Sequence, residues 1–247
     1  MVCGDEGRMI LSRQDIDTMA DQILMDFQSY FHGYGQFPRT DIDLLASAYL
    51  DLRVHYHTLS ADGNLLGVTA YDAVDVRVDQ DCTLHLERDT VLLERQFLDR
   101  RGTPKQRDSL ARRRAFTLAH ECSHQIIFRM ETAAVKDELR KRYSGCRRYD
   151  CRELKTHEDW NEWQADNLGA ALLMPRMYIQ KYFAEYQQNQ PLVSYGGAYA
   201  ARERLAITHL TSFFGVSKAA LEIRLKGLGY LKILPRYRYH DPWNINE

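Results

Sequence analysis

The spacing of apolar and polar positions along the chain changes from element to element, and each change predicts a different structure. Through residues 13–31 apolar side chains recur at helical spacing, which predicts an amphipathic helix behind a capping box formed by Ser12 and Asp15. The apolar stripe of this helix consists of Ile16, Met19, Ala20, Ile23, Leu24, Phe27 and Tyr30. A second helix is predicted to begin at residues 40–43, and residues 1–10 are expected to be loose.

From Arg53 the period becomes two, which is typical of half-buried strands. Turn residues divide the stretch that follows, so a small antiparallel sheet is expected. Its further strands are predicted at residues 65–71, 73–78, 82–86 and 90–93. Three histidines on these strands, His55, His57 and His85, are expected to be exposed rather than to bind a metal. Residues 95–107 read as a polar, basic loop, with the next helix beginning near Asp108.

That next helix carries the first chemical motif, His120-Glu121-Cys122-Ser123-His124, an H-E-x-x-H pattern in a stretch without Gly or Pro. Histidines at i and i+4 share one helical face, where both imidazoles can bind one ion at about 2.0–2.1 Å. Glu121 is turned about 100° from His120, so it would lie beside the ion and accept a proton from a water. The alternative interpretation is a buried helix with two hydrogen-bonded histidines.

A second motif, Glu162-Trp163-Gln164-Ala165-Asp166, follows His124 by 38 residues (162 − 124) on another predicted helix. Zinc hydrolases with two histidine ligands need a third protein ligand and leave the fourth position to water. Glu162 can supply that ligand. Asp166 lies one helical turn later, where it can accept the free N–H of a ligand histidine. The two motifs together favour a metal site made by His120, His124 and Glu162.

Composition and charge narrow the possible functions. The 247 residues are 45% hydrophobic with a net charge of −1, which suits one large domain or a domain with a small appendage. This balance carries no signature of membrane or nucleic-acid binding, and no apolar run reaches the roughly 18 residues of a transmembrane helix. Five scattered cysteines and a first segment without an apolar signal-peptide core lead us to expect reduced thiols and a cytoplasmic location.

Two later segments are interpreted from their charges and turns. Residues 131–155 are rich in Lys and Arg and are expected to form a solvated helix–loop insertion, with a substrate-docking surface as the alternative. Near the end, one helix, Gly215 and a second helix capped by Ser217 outline a helix-turn-helix. The cations available there are Lys218, Arg224 and Lys226. Because they are few and Glu222 offsets them, the pattern argues against DNA contact.

The motifs together resemble the ImmA/IrrE family of metallo-endopeptidases. The resemblance spans residues 112–225 and rests on the H-E-x-x-H helix, on residues 162–175 with their Leu-Leu-Met-Pro ending, and on residues 214–217. Asp166 stands where the family usually has Asn, and Leu168-Gly169 stand where it has Phe-Ala. The insertion between the two motifs looks longer than usual.

This resemblance implies a zinc endopeptidase of gluzincin type. His120, His124 and Glu162 would be the ligands, Glu121 the general base, and Asp166 the residue that orients a ligand histidine. Such enzymes are intracellular and cleave a partner transcriptional repressor of helix-turn-helix type, so a repressor is the expected protein substrate. A His₂Glu set also binds Mn²⁺ and Fe²⁺. Candidates for the donor that stabilises the oxyanion are Tyr178, Tyr182, Tyr195 and His209.

The expected architecture is α+β, with N-terminal helices and a small antiparallel sheet packed on a helical, zincin-like core, followed by helix-turn-helix-like helices. Residues 1–195 are predicted to form the metallopeptidase domain and residues 196–247 a helical extension packed on it. Two other classes of function remain open: a non-catalytic regulator that keeps the metal as a structural element, and a DNA-binding protein that uses the C-terminal helices. The intact Glu121 argues against the first, since a structural site needs no base. The oligomeric state is open.

Overall fold

The computed structural model describes residues 2–3, 8–31, 39–60, 63–79, 82–140, 143–146 and 157–239. Helices and short strands alternate in these residues, which confirms the α+β class. The helices are α1 Arg13–Tyr30, α2 Ile42–Leu44 with its π-helical continuation Leu45–Tyr49, α3 Pro104–Met130, α4 Ala133–Leu139, α5 His157–Leu173, α6 Arg176–Tyr186, α7 Ala201–Phe214 and α8 Lys218–Gly227. The strands are β1 Val2–Cys3, β2 Met9–Ile10, β3 Arg53–His57, β4 Gly67–Ala70, β5 Val74–Asp79, β6 Cys82–Leu86, β7 Thr90–Glu94, β8 Tyr143–Cys146, β9 Leu192–Tyr195 and β10 Leu231–Leu234.

The main sheet has the strand order β3-β7-β4-β8 and is mixed, so the expectation of an antiparallel sheet is wrong. β4 runs antiparallel to both of its neighbours, but β3 pairs with β7 in parallel, with Arg53 opposite Thr90. The parallel pair is possible because β4 and the separate β5–β6 hairpin lie between β3 and β7 in the chain and form a long crossover. One face of this sheet packs against α3.

Two short pairings were not expected from the sequence. β1 and β2 pair antiparallel, so the described part of residues 1–10 is not loose. The expected helix–loop insertion contains α4 but also β8, which extends the main sheet next to β4. The remainder of the insertion, residues 141–142 and 147–155, lies outside the described residues.

Helix α3 begins at Pro104, earlier than the predicted start near Asp108, and the predicted loop before it contains a 3₁₀ turn at Arg95–Leu98. The early start has a local cause. Thr103 accepts a hydrogen bond from the Gln106 backbone N–H, the Gln106 side chain accepts one from the Thr103 N–H, and Pro104 occupies the first helical position. The helix therefore runs unbroken for 27 residues through the H-E-x-x-H motif.

Helix α5 packs closely on α3, and Gly169 permits this approach. A Cβ atom at residue 169 would lie 3.1 Å from both the Ala119 carbonyl carbon and the His120 nitrogen. Ala119, Leu168 and Leu172 are fully buried in the same contact. The crossing brings the first turns of α5 beside the two histidines of α3.

Helices α1 and α8 both pack against α5 and contact each other there. Asp17 of α1 and Arg224 of α8 form a buried ion pair with 2.6 Å between Oδ1 and Nη1, and Arg224 Nε also donates to the Met174 carbonyl. Lys218 lies 4.7 Å from the centre of the Tyr199 ring and near Glu222. Two of the three cations considered for DNA contact thus have partners within the protein.

The C-terminal segment is joined to the rest of the fold by a strand pair. β10 pairs in parallel with β9, and α7 ends at Gly215 in the left-handed conformation before Ser217 caps α8. The helix-turn-helix identity of this segment and the division at residue 195 stay predictions. No described helix combines the length and apolar character that crossing a membrane requires.

Candidate metal centre

His120 and His124 converge in the interior of the protein. Both side chains are almost completely buried, and the two Nε2 atoms lie 3.0 Å apart. The i, i+4 spacing on α3 places one ring above the other, and the rings meet edge to face with their centres 4.6 Å apart. One pair of ring nitrogens is therefore directed at a common point.

Glu162 completes a triangle of donor atoms. Its Oε2 lies 3.2 Å from His120 Nε2 and its Oε1 lies 3.3 Å from His124 Nε2. Ligands at about 2.05 Å in a tetrahedron are separated by about 3.3 Å, so each histidine nitrogen lies at the spacing that a zinc-class ion requires from one oxygen of the Glu162 carboxylate. His120, His124 and Glu162 form a buried cluster of possible ligand residues that is compatible with a metal ion.

Asp166 contacts the other nitrogen of His120, with 2.8 Å between Oδ1 and Nδ1. An ionised carboxylate can only accept a hydrogen bond, so Nδ1 donates and a neutral His120 carries its lone pair on Nε2. That lone pair faces the Glu162 carboxylate at 3.2 Å. Two lone pairs at this distance repel each other unless a positive charge lies between them, and the donor set therefore fits a cation.

The pKa values of the donors favour metal-binding forms. Burial lowers the pKa of His124, only partly opposed by the Glu162 charge, which favours the neutral imidazole. Burial alone would raise the pKa of Glu162. Attraction to His124 or His120 when either ring is protonated, together with their hydrogen bonds, outweighs burial and holds that pKa well below its usual range. A neutral imidazole and an ionised carboxylate are the forms that bind a metal.

Glu121 lies beside this triangle and differs from Glu162 in its surroundings. It is fully buried, and neither carboxylate oxygen has a hydrogen-bond partner among the described residues. Burial, with a smaller contribution from the Glu162 charge, raises the pKa of Glu121 to about 8, although His120 opposes the shift. A dehydrated carboxyl group without a partner is a strong proton acceptor when ionised.

Gln125, which the sequence reasoning passed over, anchors α3 to the sheet. Its Nε2 donates to Thr69 Oγ1 and to the Ala70 carbonyl, both at 2.9 Å, and the residue is fully buried. A signal for it existed. Gln125 lies one helical turn beyond Glu121 and directly before the apolar residues Ile126, Ile127 and Phe128. A polar side chain buried at such a position needs a hydrogen-bond partner inside the protein.

The other candidate residues lie outside the triangle. His85 is exposed and contacts Asp75 with 2.8 Å between Nδ1 and Oδ1, and His55 is exposed on its strand as expected. His57 is half-buried, so its expected exposure is wrong. Tyr182 stacks on His209 with 5.5 Å between ring centres, so these two oxyanion candidates contact each other, and their role stays a prediction. Cys122 is buried in the hydrophobic core, and burial raises the pKa of its thiol, which keeps it protonated.

Comparison with known families places the site within a recognised domain. Residues 106–226 match the family model Peptidase_M78, described as the IrrE N-terminal-like domain. The matched segment contains His120, His124, Glu162 and Asp166 and ends at Lys226 in α8. No curated protein matches the chain.

Proposed function

We propose that this chain, which belongs to the IrrE N-terminal-like family of peptidases, is a zinc-dependent endopeptidase. Its reaction is the hydrolysis of a peptide bond in a protein substrate. The observation that carries the proposal is the pairing of two different carboxylates at one buried place. Glu162 completes a donor triangle with His120 and His124, and Glu121 lies next to it without a hydrogen-bond partner among the described residues. A purely structural metal site has no use for the second carboxylate.

His120 Nε2, His124 Nε2 and Glu162 would hold the ion, and Asp166 would fix the tautomer of His120. When bound, an ion of this kind supplies a Lewis acid and a water that ionises near neutral pH. We propose zinc because two imidazoles and one carboxylate suit it, although the same set accepts Mn²⁺ and Fe²⁺.

Glu121 would carry the proton through the reaction. As a carboxylate it accepts the proton of the attacking water, which frees the water oxygen to bond to the peptide carbonyl carbon. It then donates the same proton to the leaving amine nitrogen as the C–N bond breaks, so Glu121 is regenerated as a carboxylate. Its buried position suits this role because burial raises the pKa of the carboxyl group, and no hydrogen bond from the described residues lowers its basicity.

For the substrate we propose a transcriptional repressor of helix-turn-helix type. The support is the resemblance of the two motifs to the ImmA/IrrE endopeptidases. If the gene neighbourhood encodes a helix-turn-helix repressor, that protein is the first candidate to assay. The buried Asp17–Arg224 pair disfavours the alternative of DNA binding through α8, because Arg224 is not available to a phosphate.

The experiment compares zinc-loaded parent protein with Glu121→Gln. Each is incubated with the neighbouring repressor and with a proteome-derived peptide library, and new N-termini are counted by mass spectrometry. The variant should keep its metal, because Glu121 is not a ligand, and should cleave slower by a factor on the order of 10² or more. Glu185→Gln, at a surface residue of α6, is the matched control and should cleave like the parent. Equal cleavage by parent and Glu121→Gln would remove Glu121 as the base.

A further inference from the structure

Gly67, at the start of β4, lies directly against the Glu121 carboxylate. A Cβ atom at residue 67 would be 2.5 Å from Glu121 Oε1 and 2.9 Å from Thr117 Cγ2, closer than the 3.0 Å that real Cβ contacts essentially never cross. No side chain larger than hydrogen fits there unless Glu121 moves. Gly67 is itself buried within the sheet.

The backbone of Gly67 does not need glycine for its conformation. The glycines with positive φ in the described residues are Gly63, Gly102, Gly196, Gly197, Gly215 and Gly229, and Gly67 is not among them. It pairs as an ordinary strand residue with Leu93 of β7 and Cys146 of β8. Any residue could adopt this conformation, so the reason for glycine is space alone.

The strand cannot shift to create that space. Thr117, Glu121 and Gln125 follow one another at i, i+4 and i+8 along one face of α3, and Gly67 and Thr69 project from the opposing face of β4. Four helical residues rise about 6.0 Å and two strand residues about 6.6 Å, so the two rows stay in step. The two hydrogen bonds from Gln125 to Thr69 and Ala70 fix this alignment.

Glu121 has little freedom to yield in another direction without leaving its place. Its side chain is fully buried between α3 and the sheet, beside the donor triangle. A methyl group at residue 67 would therefore displace the carboxylate from the position in which it faces the cluster. The nearest contacts of that methyl group, Glu121 and Thr117, include none of the three metal-donor residues.

We propose that Gly67 is a positioning residue for the general base: β4 presents a residue without a side chain so that the Glu121 carboxylate is held in a slot beside the metal donors. This inference rests on the proposed function of Glu121. Gln125 is the part of the device that fixes the register, and Gly67 is the part that provides the space.

The first test is kinetic and uses Gly67→Ala in the full chain. The variant should bind Zn²⁺ in a chelator titration within about twofold of the parent and keep KM within about twofold. Its kcat should fall by on the order of 10²-fold, the loss that a displacement of about 1 Å can cause. Gly227→Ala is the control, since a Cβ at residue 227 meets nothing within 4 Å and no positive φ is involved. An unchanged kcat, or a matched loss of zinc affinity, would overturn the proposal.

The second test needs no substrate and separates this inference from the proposed activity. Gly67→Ala should lower the thermal unfolding midpoint of the metal-free protein, and in a Glu121→Ala background the lowering should shrink by at least half, because the nearer clash is gone. If Gly67→Ala alone fails to fold, the double variant should fold. An equal lowering in both backgrounds, or a double variant that also fails to fold, refutes the slot. A parent protein that cleaves nothing would refute the endopeptidase proposal while leaving this comparison decisive.

Discussion

Glu121 should make the metal-free protein progressively less stable between about pH 5 and pH 8. Burial raises the pKa of this carboxyl group from 4.5 to about 8 in the folded protein. Between these values the folded state holds a proton that the unfolded chain has released. The free energy of unfolding then falls by about 1.36 kcal/mol per pH unit, or about 4 kcal/mol from pH 5 to pH 8. The contribution is complete below pH 4.5 and lost as the pH rises through about 8.

The measurement is urea unfolding at several pH values in the presence of a chelator, for the parent and for Glu121→Gln. Other groups titrate in the same range, but both proteins contain them. The pKa of His124 is lowered in the folded protein, so the free energy of unfolding rises with pH up to 6.5, the pKa of this group in the unfolded chain. The pKa of Glu162 is also lowered in the folded protein, so its contribution to stability is lost only as the pH falls below about 4.5. The difference between the two curves therefore isolates Glu121.

We expect the parent to lose about 4 kcal/mol relative to the variant between pH 5 and pH 8. Parallel curves would refute the reasoning, because they would mean that the Glu121 carboxyl group is solvated and titrates near its ordinary value. Saturating Zn²⁺ should shrink the difference, because a nearby cation favours the ionised carboxylate.

Three further outcomes are expected. Elemental analysis of the purified parent protein should find about one zinc-class ion per chain, and the His120→Ala and His124→Ala variants should bind none. A parent protein that cannot be loaded with any metal would contradict the proposed site. In a chelator titration Asp166→Ala should lose zinc affinity by about 10–100-fold while Asp166→Asn changes little, and equal retention by the Ala variant would assign Asp166 a structural role only. Arg224→Met leaves Asp17 buried without its cation and should lower the free energy of unfolding, measured in urea, by about 3–5 kcal/mol. The double variant Arg224→Met/Asp17→Asn should recover part of this loss. A loss below about 1 kcal/mol in Arg224→Met would show that water enters the pair.

The local parts of this structure could be predicted from sequence. α1 follows from its Ser12–Asp15 capping box and from the buried part of its apolar stripe, Ile16, Ala20, Leu24 and Phe27, whereas Tyr30 at the end of the stripe is exposed. The positions of His120, Glu121 and His124 on one helix follow from the absence of Gly and Pro, since i, i+4 geometry is fixed within a single element. Even the contact between Asp166 and His120 was predictable once two helices were known to meet at one site.

The long-range parts could not be predicted in the same way. β8 is a strand because β4 offers it a partner, and the parallel pairing of β3 with β7 depends on how the intervening hairpin folds back. The proximity of Gly67 to Glu121 depends on a strand–helix register that no local pattern encodes. The start of α3 is different: Thr103, Pro104 and Gln106 signal it in the sequence, but their polar surroundings favoured a loop interpretation.

The ion pair between Asp17 and Arg224 has a consequence for synthesis of the chain on the ribosome. Translation proceeds from the N-terminus, so Asp17 emerges long before Arg224, and the helix that carries Glu162 packs against both α1 and α8. Until the last helix leaves the exit tunnel, α1 would have to bury an unpaired carboxylate in order to dock, which is energetically costly. Stable docking of α1 on the helix that carries Glu162 is therefore expected only after Arg224 has been synthesised.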